Sequence, residues 1–522
     1  MSVSSPGPNP VRGSAGLQPA GPRLVAAALL AAGLAVSGPT GAQDTGHPNF
    51  LSPHAAPVAA HGGLVFVVNT PADTLDVIDA ATLQIIRRVN VGIDPVSLAV
   101  RPDGREIWVS NHVSDSVSVI DSEPASPTYL QIVATVQDFD PATRATRFDE
   151  PVGIAFADNQ KAYVALSSDN RVAIVDVATR QVTGGLAITA QDPRAIAVRG
   201  DRLYVVPFES NNRTQISGCT GPLDGDLCTF DATRHVIDNN NVLSLHAVVD
   251  IIRRPDVPDR DLYVFDTATD QLVEIVDSLG TLLYGLAIDS RGRVFVAQTD
   301  ARNDANGRTG TLGEGLAEME NRAFLNQVGI VDCGDGCGTP GVIELEPLPP
   351  AQPAPGMALA TPFAIAVSDD DTTLAVTAAG SNMVFTLDAS SGTVLGRAEV
   401  GKVPRGIALE SDQAGEPARA WVLNAVSNTV SLVDLVDPSN PQVTATIALE
   451  DPTHPAVRRG RIAFNNAAAS TSGTFSCESC HPDGGTDQLV WVLDTPPCDL
   501  PGCTQIPPRL TMPIRGLRDV AP

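Results

Sequence analysis

A chain of 522 residues with 60 acidic against 34 basic side chains carries a formal charge of -26. That balance disfavours nucleic acid and anionic membrane as partners, and suits a basic redox protein, a small cation or plain solubility. The apolar fraction of 43% supports a real core, while 4% aromatics with 44 Gly and 42 Pro favour many short strands joined by turns over long helices.

Residues 1–42 read as a targeting segment. Arg12 and Arg23 supply positive charge, residues 24–36 form an apolar run too short for a transmembrane helix, and Thr40, Gly41 and Ala42 offer small residues for cleavage. No later stretch approaches eighteen apolar residues, so the expectation is a soluble chain without a membrane span, exported to the periplasm or beyond. Eight cysteines suit an oxidising compartment. Six of them fall in close pairs, Cys219 with Cys228, Cys333 with Cys337 and Cys498 with Cys503, each near enough for a local disulfide although spacing does not prove connectivity.

From residue 52 to 449 one pattern repeats. A Pro-x-x-Ile/Leu-Ala segment stands at 95–99, 151–155, 193–197, 362–366 and 404–408, with a version lacking the proline at 284–287. The starts at 151 and 193, and at 362 and 404, are 42 residues apart, a period the size of a four-stranded unit. In the unit after Pro95, further strands are predicted over 107–110, 116–120 and 130–136, with the alternation of half-buried strands in Ser116-Val117-Ser118-Val119. An aspartate follows the third strand at Asp79, Asp121, Asp176, Asp266, Asp388 and Asp434, placed to accept turn N–H groups. Seven units are counted, beginning near 53, 94, 150, 192, 283, 361 and 403. Units this small cannot bury their own faces, so they should stack radially and close a ring. The predicted fold class is all-β, a seven-bladed β-propeller over 52–449 with a short, mostly irregular or helical C-terminal segment over 450–522.

Two excursions, 207–259 and 298–345, are expected to form a binding rim, the second with a short helix near 316–324. They contain no recognisable nucleophile triad. His112, His235 and His246 read as surface or turn residues, and no catalytic set can be assigned.

Cys477-Glu478-Ser479-Cys480-His481 concentrates the chemistry. Two thiols three positions apart can each form a thioether with a haem vinyl group, and the adjacent histidine then ligates the iron, predicting one covalently bound haem c. Met512, the only methionine after this run, is the candidate second iron ligand beside His481. Arg515 is the candidate partner of a haem propionate or of Asp519, with Arg509 a second choice, and Trp491 is placed to pack on the haem edge. Asp483 and Asp487 could stabilise the turn after His481; a calcium role for them lacks a full oxygen set.

The repeat resembles the YVTN-type β-propeller family, on strands such as Leu203-Tyr204-Val205-Val206 followed by runs like the Ser-x-x-Val-x-Val-Ile-Asp of 114–121. The region from Gly460 onward resembles the start of a haem domain of the di-haem cytochrome c peroxidase and MauG-like group. It does so on Gly460-Arg461 with Phe464, Ser472-Gly473-Thr474-Phe475-Ser476-Cys477, Cys480-His481-Pro482-Asp483-Gly484, and Met512-Pro513-Ile514-Arg515-Gly516-Leu517. Those resemblances imply a propeller fused to a cytochrome c-like segment that transfers electrons to or from a redox partner protein. That group uses two C-x-x-C-H motifs where this sequence has one, so the expectation extends to a haem domain continuing past residue 522. The alternatives are a ligand- or protein-binding scaffold with an accessory haem, or a di-haem peroxidase-like oxidoreductase. Whether the chain is an enzyme, and its oligomeric state, stay open.

Overall fold

A computed structural model of the chain describes residues 50–209, 259–305, 316, 319–492 and 508–515, with the strand backbones at 214–217, 228–230 and 250–253. Among them the chain runs through antiparallel meanders in order. The first sheet is Val58–His61, Leu64–Asn69, Thr74–Asp79 and Gln84–Asn90, the second Pro95–Val100, Glu106–Asn111, Ser116–Asp121 and Ile132–Val136, and the third Pro151–Phe156 to Gln181–Ala187. Two more four-stranded sheets span Pro362–Val367 to Val394–Glu399 and Pro404–Ser411 to Gln442–Ala448. Between them lies an eight-stranded sheet in which two meanders join only where Glu209 pairs with Leu282.

The middle strands are buried on both faces, as in Glu106–Asn111 and Ser116–Asp121, whereas the fourth strands such as Gln84–Asn90 alternate outward. Sheets stacked face to face bury their middles and leave their outer strands wet. A register shift recurs between third and fourth strands, at Val77/Ile78, Val119/Ile120, Ile174/Val175 and Leu432/Val433, and such a bulge turns the outer strand with extra twist. The aspartates closing the third strands hold the turns. Asp79 accepts from Thr82 N at 2.7 Å, Asp176 from Thr179 N at 2.7 Å and Asp388 from Ser391 N at 2.7 Å. Hydrogen bonds from Ser390 and Ser391 hold the Asp388 carboxyl down at about 2.

Each core cluster is shared by neighbouring sheets. Val68 and Val77 pack with Ile107 and Ile120, then Trp108 and Val119 with Val164 and Val175. The last sheet packs on the first through Val65, Val67 and Ile78 against Trp421, Leu423 and Val430. Asn428 Nδ2 donates to Asn69 Oδ1 at 3.0 Å and to the Glu450 carbonyl at 2.7 Å, so the ring closes on side chains rather than on a shared strand.

The segment from 298 to 345 is not an excursion. It contains the end of Arg293–Ala301 and the strands Phe324–Asp332 and Gly341–Glu344, so Phe324, expected in a helix, opens a strand. Cys333 and Cys337 form the expected local disulfide. In the other stretch, Arg202–Glu209 continues the sheet, and Thr214–Ser217, Cys228–Phe230 and Asp250–Arg253 make a small sheet of their own. Cys219, His235, His246, Cys498 and Cys503 lie outside the described residues, as does the predicted targeting segment 1–42. Among the described residues no helix is long and apolar enough to cross a membrane.

Adjacent units approach closely at glycines in their first strands, against backbone at Gly285 and against side chain at Gly406. A Cβ on Gly285 would stand 2.5 Å from the Phe363 carbonyl, and one on Gly406 would stand 2.4 Å from Pro57 across the ring seam. Gly285→Val is therefore expected to lower stability by about 1–3 kcal/mol through overpacking. Thermal unfolding of the variant beside the parent checks this, and an unchanged midpoint would mean that the strands separate without cost.

Candidate functional site

After the last sheet, Pro452 and His454 end the meander and a helix runs over Pro455–Asn465. Proline at its first position loses no hydrogen bond, and His454 Nδ1 accepts from Ala456 N at 3.2 Å as its cap. The C-x-x-C-H run follows as one helical turn, Cys477–Cys480, where Ser476 N donates to Ser479 Oγ at 3.0 Å. One turn of helix puts residues i, i+3 and i+4 on one side, so Cys477, Cys480 and His481 share a face and Glu478 points away from it. Both thiols are unbonded, Cys477 exposed and Cys480 half-buried against the core. Burial, then the charges of Asp487 and Cys477, push the Cys480 thiol well above its usual range.

His481 Nδ1 lies 3.0 Å from the backbone carbonyl of Met512. A carbonyl only accepts, so the bond requires the proton on Nδ1 and leaves the Nε2 lone pair for another partner. Met512 thus reaches His481 through its main chain, with a side chain that is 67% exposed. Segment 511–515 is held there by Ile514 N and Arg515 N on the Gly484 carbonyl, at 2.9 and 3.1 Å.

The opposite side of the turn carries a buried ion-pair network. Arg194 and Arg405 come from the first strands Gln191–Arg199 and Pro404–Ser411, and both are buried. Asp483 accepts from Arg405 Nη1 at 2.5 Å and from Arg194 Nη1 at 2.9 Å, while Glu478 accepts from Arg405 Nη2 at 2.6 Å and from Asp483 N at 2.9 Å. The guanidiniums also lie over rings, Arg194 at 3.6 Å from the centroid of Phe208 and Arg405 at 4.9 Å from that of Phe363. Burial would raise the Asp483 carboxyl, but Arg405, Arg194 and Arg515 together hold it well below the usual carboxylate range. Burial and the neighbouring Asp483 charge push Glu478 up to about 7 despite Arg405.

The remaining expected residues are placed as follows. Arg515 donates through Nε to the Asp483 carbonyl at 2.7 Å and through Nη2 to the Leu51 carbonyl at 3.0 Å, tying the segment to the N-terminal stretch. Asp519 and the Arg509 side chain lie outside the described residues. Trp491 sits in the core beside Phe324, ring centroids 5.4 Å apart, and donates to Asp487 Oδ2 at 2.9 Å. Both carboxyl oxygens of Asp483 are engaged by guanidinium, and those of Asp487 by Trp491 and Leu489 N. No cluster of three His, Cys, Asp or Glu able to hold a metal occurs among the described residues. His112, expected as a surface or turn residue, stands in the turn after Glu106–Asn111 but is buried, and burial lowers it to about 4. The sequence reading missed Arg194 and Arg405. Their signal was a guanidinium after proline in a slot that holds Val96, Val152 and Phe363 in other units.

Residues 26–144 match the YNCE-like beta-propeller family. Among solved structures, hydrazine synthase of Kuenenia stuttgartiensis is similar with a TM-score of 0.52 and 18% identity, over 74% of this chain and 96% of that one. The scaffold is a β-propeller. No curated protein matches the chain.

Two outcomes follow from the network. Removing one partner of a buried ion pair strands the other, so Arg405→Ala is expected to cost about 3–5 kcal/mol and to release the 455–492 segment from the propeller. Urea unfolding and limited proteolysis read both effects, and a variant as resistant as the parent would refute the clasp. Burial also raises Glu209 to about 8 and Asp487 to about 6. Folded carboxyls with raised pKa keep protons that the unfolded chain has lost, so stability should fall as pH rises from about 4.5 through 8. Glu209→Gln should flatten the upper part of that profile in thermal melts from pH 5 to 8.5.

Proposed function

We propose that this chain is an exported haem c protein in which a seven-bladed propeller supports an electron-transferring haem through the segment that carries Cys477, Cys480 and His481. The eight-stranded sheet counts as two blades in this reading. The observation that carries it is the joint presentation of Cys477, Cys480 and His481, with both thiols unbonded and the Met512 carbonyl fixing the His481 proton on Nδ1. That tautomer is the one in which Nε2 can ligate a metal, and an oriented Nδ1–H raises its basicity. The donor set therefore fits haem c: two thioether sites and one imidazole. A haem bound there supplies a one-electron carrier.

The chain's own residues do the positioning. Phe475, Cys480, Leu489 and Trp491 pack into the cluster formed by Tyr284 and Phe363, so the propeller gives the motif its apolar support. Asp483 and Glu478 anchor the turn from behind. Met512 keeps its backbone at the Nδ1 edge of His481, where its carbonyl would orient the imidazole that holds the haem. In this reading Met512 acts through its carbonyl. The acidic surface favours a basic redox partner protein.

The test is a pyridine haemochrome spectrum of protein made in a host that attaches haem c. One c-type haem per chain is expected, lost in the Cys477→Ala, Cys480→Ala double variant. Met512→Ala should leave the ferric and ferrous spectra unchanged, whereas loss of a Met–iron charge-transfer band would restore the sulfur as ligand. No covalent haem in the parent protein would end the proposal.

A further inference from the structure

A cleft of about 540 Å³ lies between the turn that follows Gln191–Arg199, the strand Leu272–Val276 and the turn that precedes Arg293–Ala301. Both Cys333 and Cys337 line it, and their disulfide closes a turn that holds Gly334, Asp335 and Gly336. Cys333 is buried and Cys337 half-buried.

This disulfide adds little to the local fold. A cross-link stabilises mainly by restricting the unfolded chain, and least when the loop it closes is short. The turn is also held on both flanks without it. Cys333 N donates to the Gly292 carbonyl at 3.0 Å, Gly338 N to the Asp332 carbonyl at 2.8 Å, and Cys337 N to Glu274 Oε2 at 2.9 Å. Opening the sulfur bond therefore leaves the turn in place.

The cleft also offers guanidiniums. Arg202 is neutralised by Asp266 at 2.7 Å and Asp201 at 3.1 Å, but Arg199 is exposed and its side chain makes no hydrogen bond or ion pair among the described residues. Arg291 is 67% exposed, with Asp371 3.7 Å away. Opposing them on the walls are Glu274, which accepts from Cys337 N, and Asp335, exposed at the tip of the turn.

We infer that Cys333–Cys337 is an exchangeable disulfide, and that its reductant is a small carboxylate-bearing thiol held in this cleft by Arg199 and Arg291. The volume suits a small molecule, and guanidinium pairs with carboxylate. The thiolate attacks Cys337 Sγ, the more open sulfur, and Cys333 Sγ leaves as a thiolate that takes a proton from water. A second thiolate then attacks the ligand sulfur of the mixed disulfide, releasing Cys337 as a thiol and the ligand as its own disulfide. Two electrons pass from two thiols to one disulfide. The inference shares no residue with the Cys477–His481 turn and does not rest on the haem reading.

The experiment treats the folded full chain with mercaptosuccinate, 2-mercaptoethanol or cysteamine at equal thiolate concentration, then traps free thiols with iodoacetamide. The tryptic peptide 323–397 holds no other pair of cysteines, so its mass reads this bond alone. Mercaptosuccinate is expected to open the bond about tenfold faster than 2-mercaptoethanol, against the overall negative charge of the chain. The Arg199→Gln, Arg291→Gln double variant should lose that advantage and keep its rate with 2-mercaptoethanol. The reduced protein should keep the circular dichroism spectrum of the oxidised one. A bond that opens only in urea, equal rates for the three thiols, or an advantage that survives in the double variant would overturn the inference.

Discussion

Arg405 cannot be buried alone. An ion of that size withdrawn from water loses several kcal/mol of hydration, and the loss is recovered only where the geometry of its partners is good and the remaining hydrogen bonds are made. Here the partners are Asp483 and Glu478, which belong to a segment outside the repeat, so the propeller face is complete only when that segment is in place. The dependence runs both ways. Asp483 stays ionised because it is held between Arg405 and Arg194, two residues from units that are not neighbours in the chain. The turn bearing the two cysteines and the histidine is thereby fixed from its back, and its front is left for chemistry.

The network also divides the labour among acidic side chains. Turn aspartates such as Asp79 and Asp388 accept backbone N–H groups at the surface, and those bonds favour their anionic form. Near the motif the carboxyls are buried and their proton affinities spread widely, Asp483 down and Glu478 and Glu209 up. Environment rather than residue type sets these differences, since desolvation and guanidinium charge act in opposite directions on the same group.

Much of the scaffold was legible in the sequence because propeller strands are specified locally. The alternation in Ser116-Val117-Ser118-Val119, the proline near the start of most first strands and the aspartate closing each third one mark elements whose hydrogen bonds lie within a few residues. The fifth unit was misread because its second and third strands are joined by a long polar connection and the third ends at a disulfide turn, so the period is obscured although the pairing is regular. The motif residues stand out for a different reason, since two cysteines and a histidine at that spacing form a local sequence pattern. What surrounds them does not. The pairing of Arg405 with Asp483 spans 78 residues and that of Arg194 with Asp483 spans 289, and no local pattern encodes a contact at such separation. Arg194 and Arg405 did announce themselves as charges in an apolar slot, a conflict that only a buried counter-charge resolves. The contact of the Met512 carbonyl with His481 was likewise illegible, since a backbone carbonyl has no sequence signature at all.

The seam of the ring has a topological consequence. Each four-stranded sheet is made of consecutive strands, and the first and last share no strand, meeting through side-chain contacts that include an amide pair 359 residues apart. Loop-closure entropy grows only with the logarithm of length, so joining ends this distant costs about 2 kcal/mol more than closing a single unit of about 40 residues. A modest apolar interface can bear that. A ring fastened in this way has no strand that must be threaded last, and new chain ends could be opened at any exposed turn between units, with the old ends joined, without unpairing a sheet. The propeller is circular in its energetics, and linear only in the order of its residues.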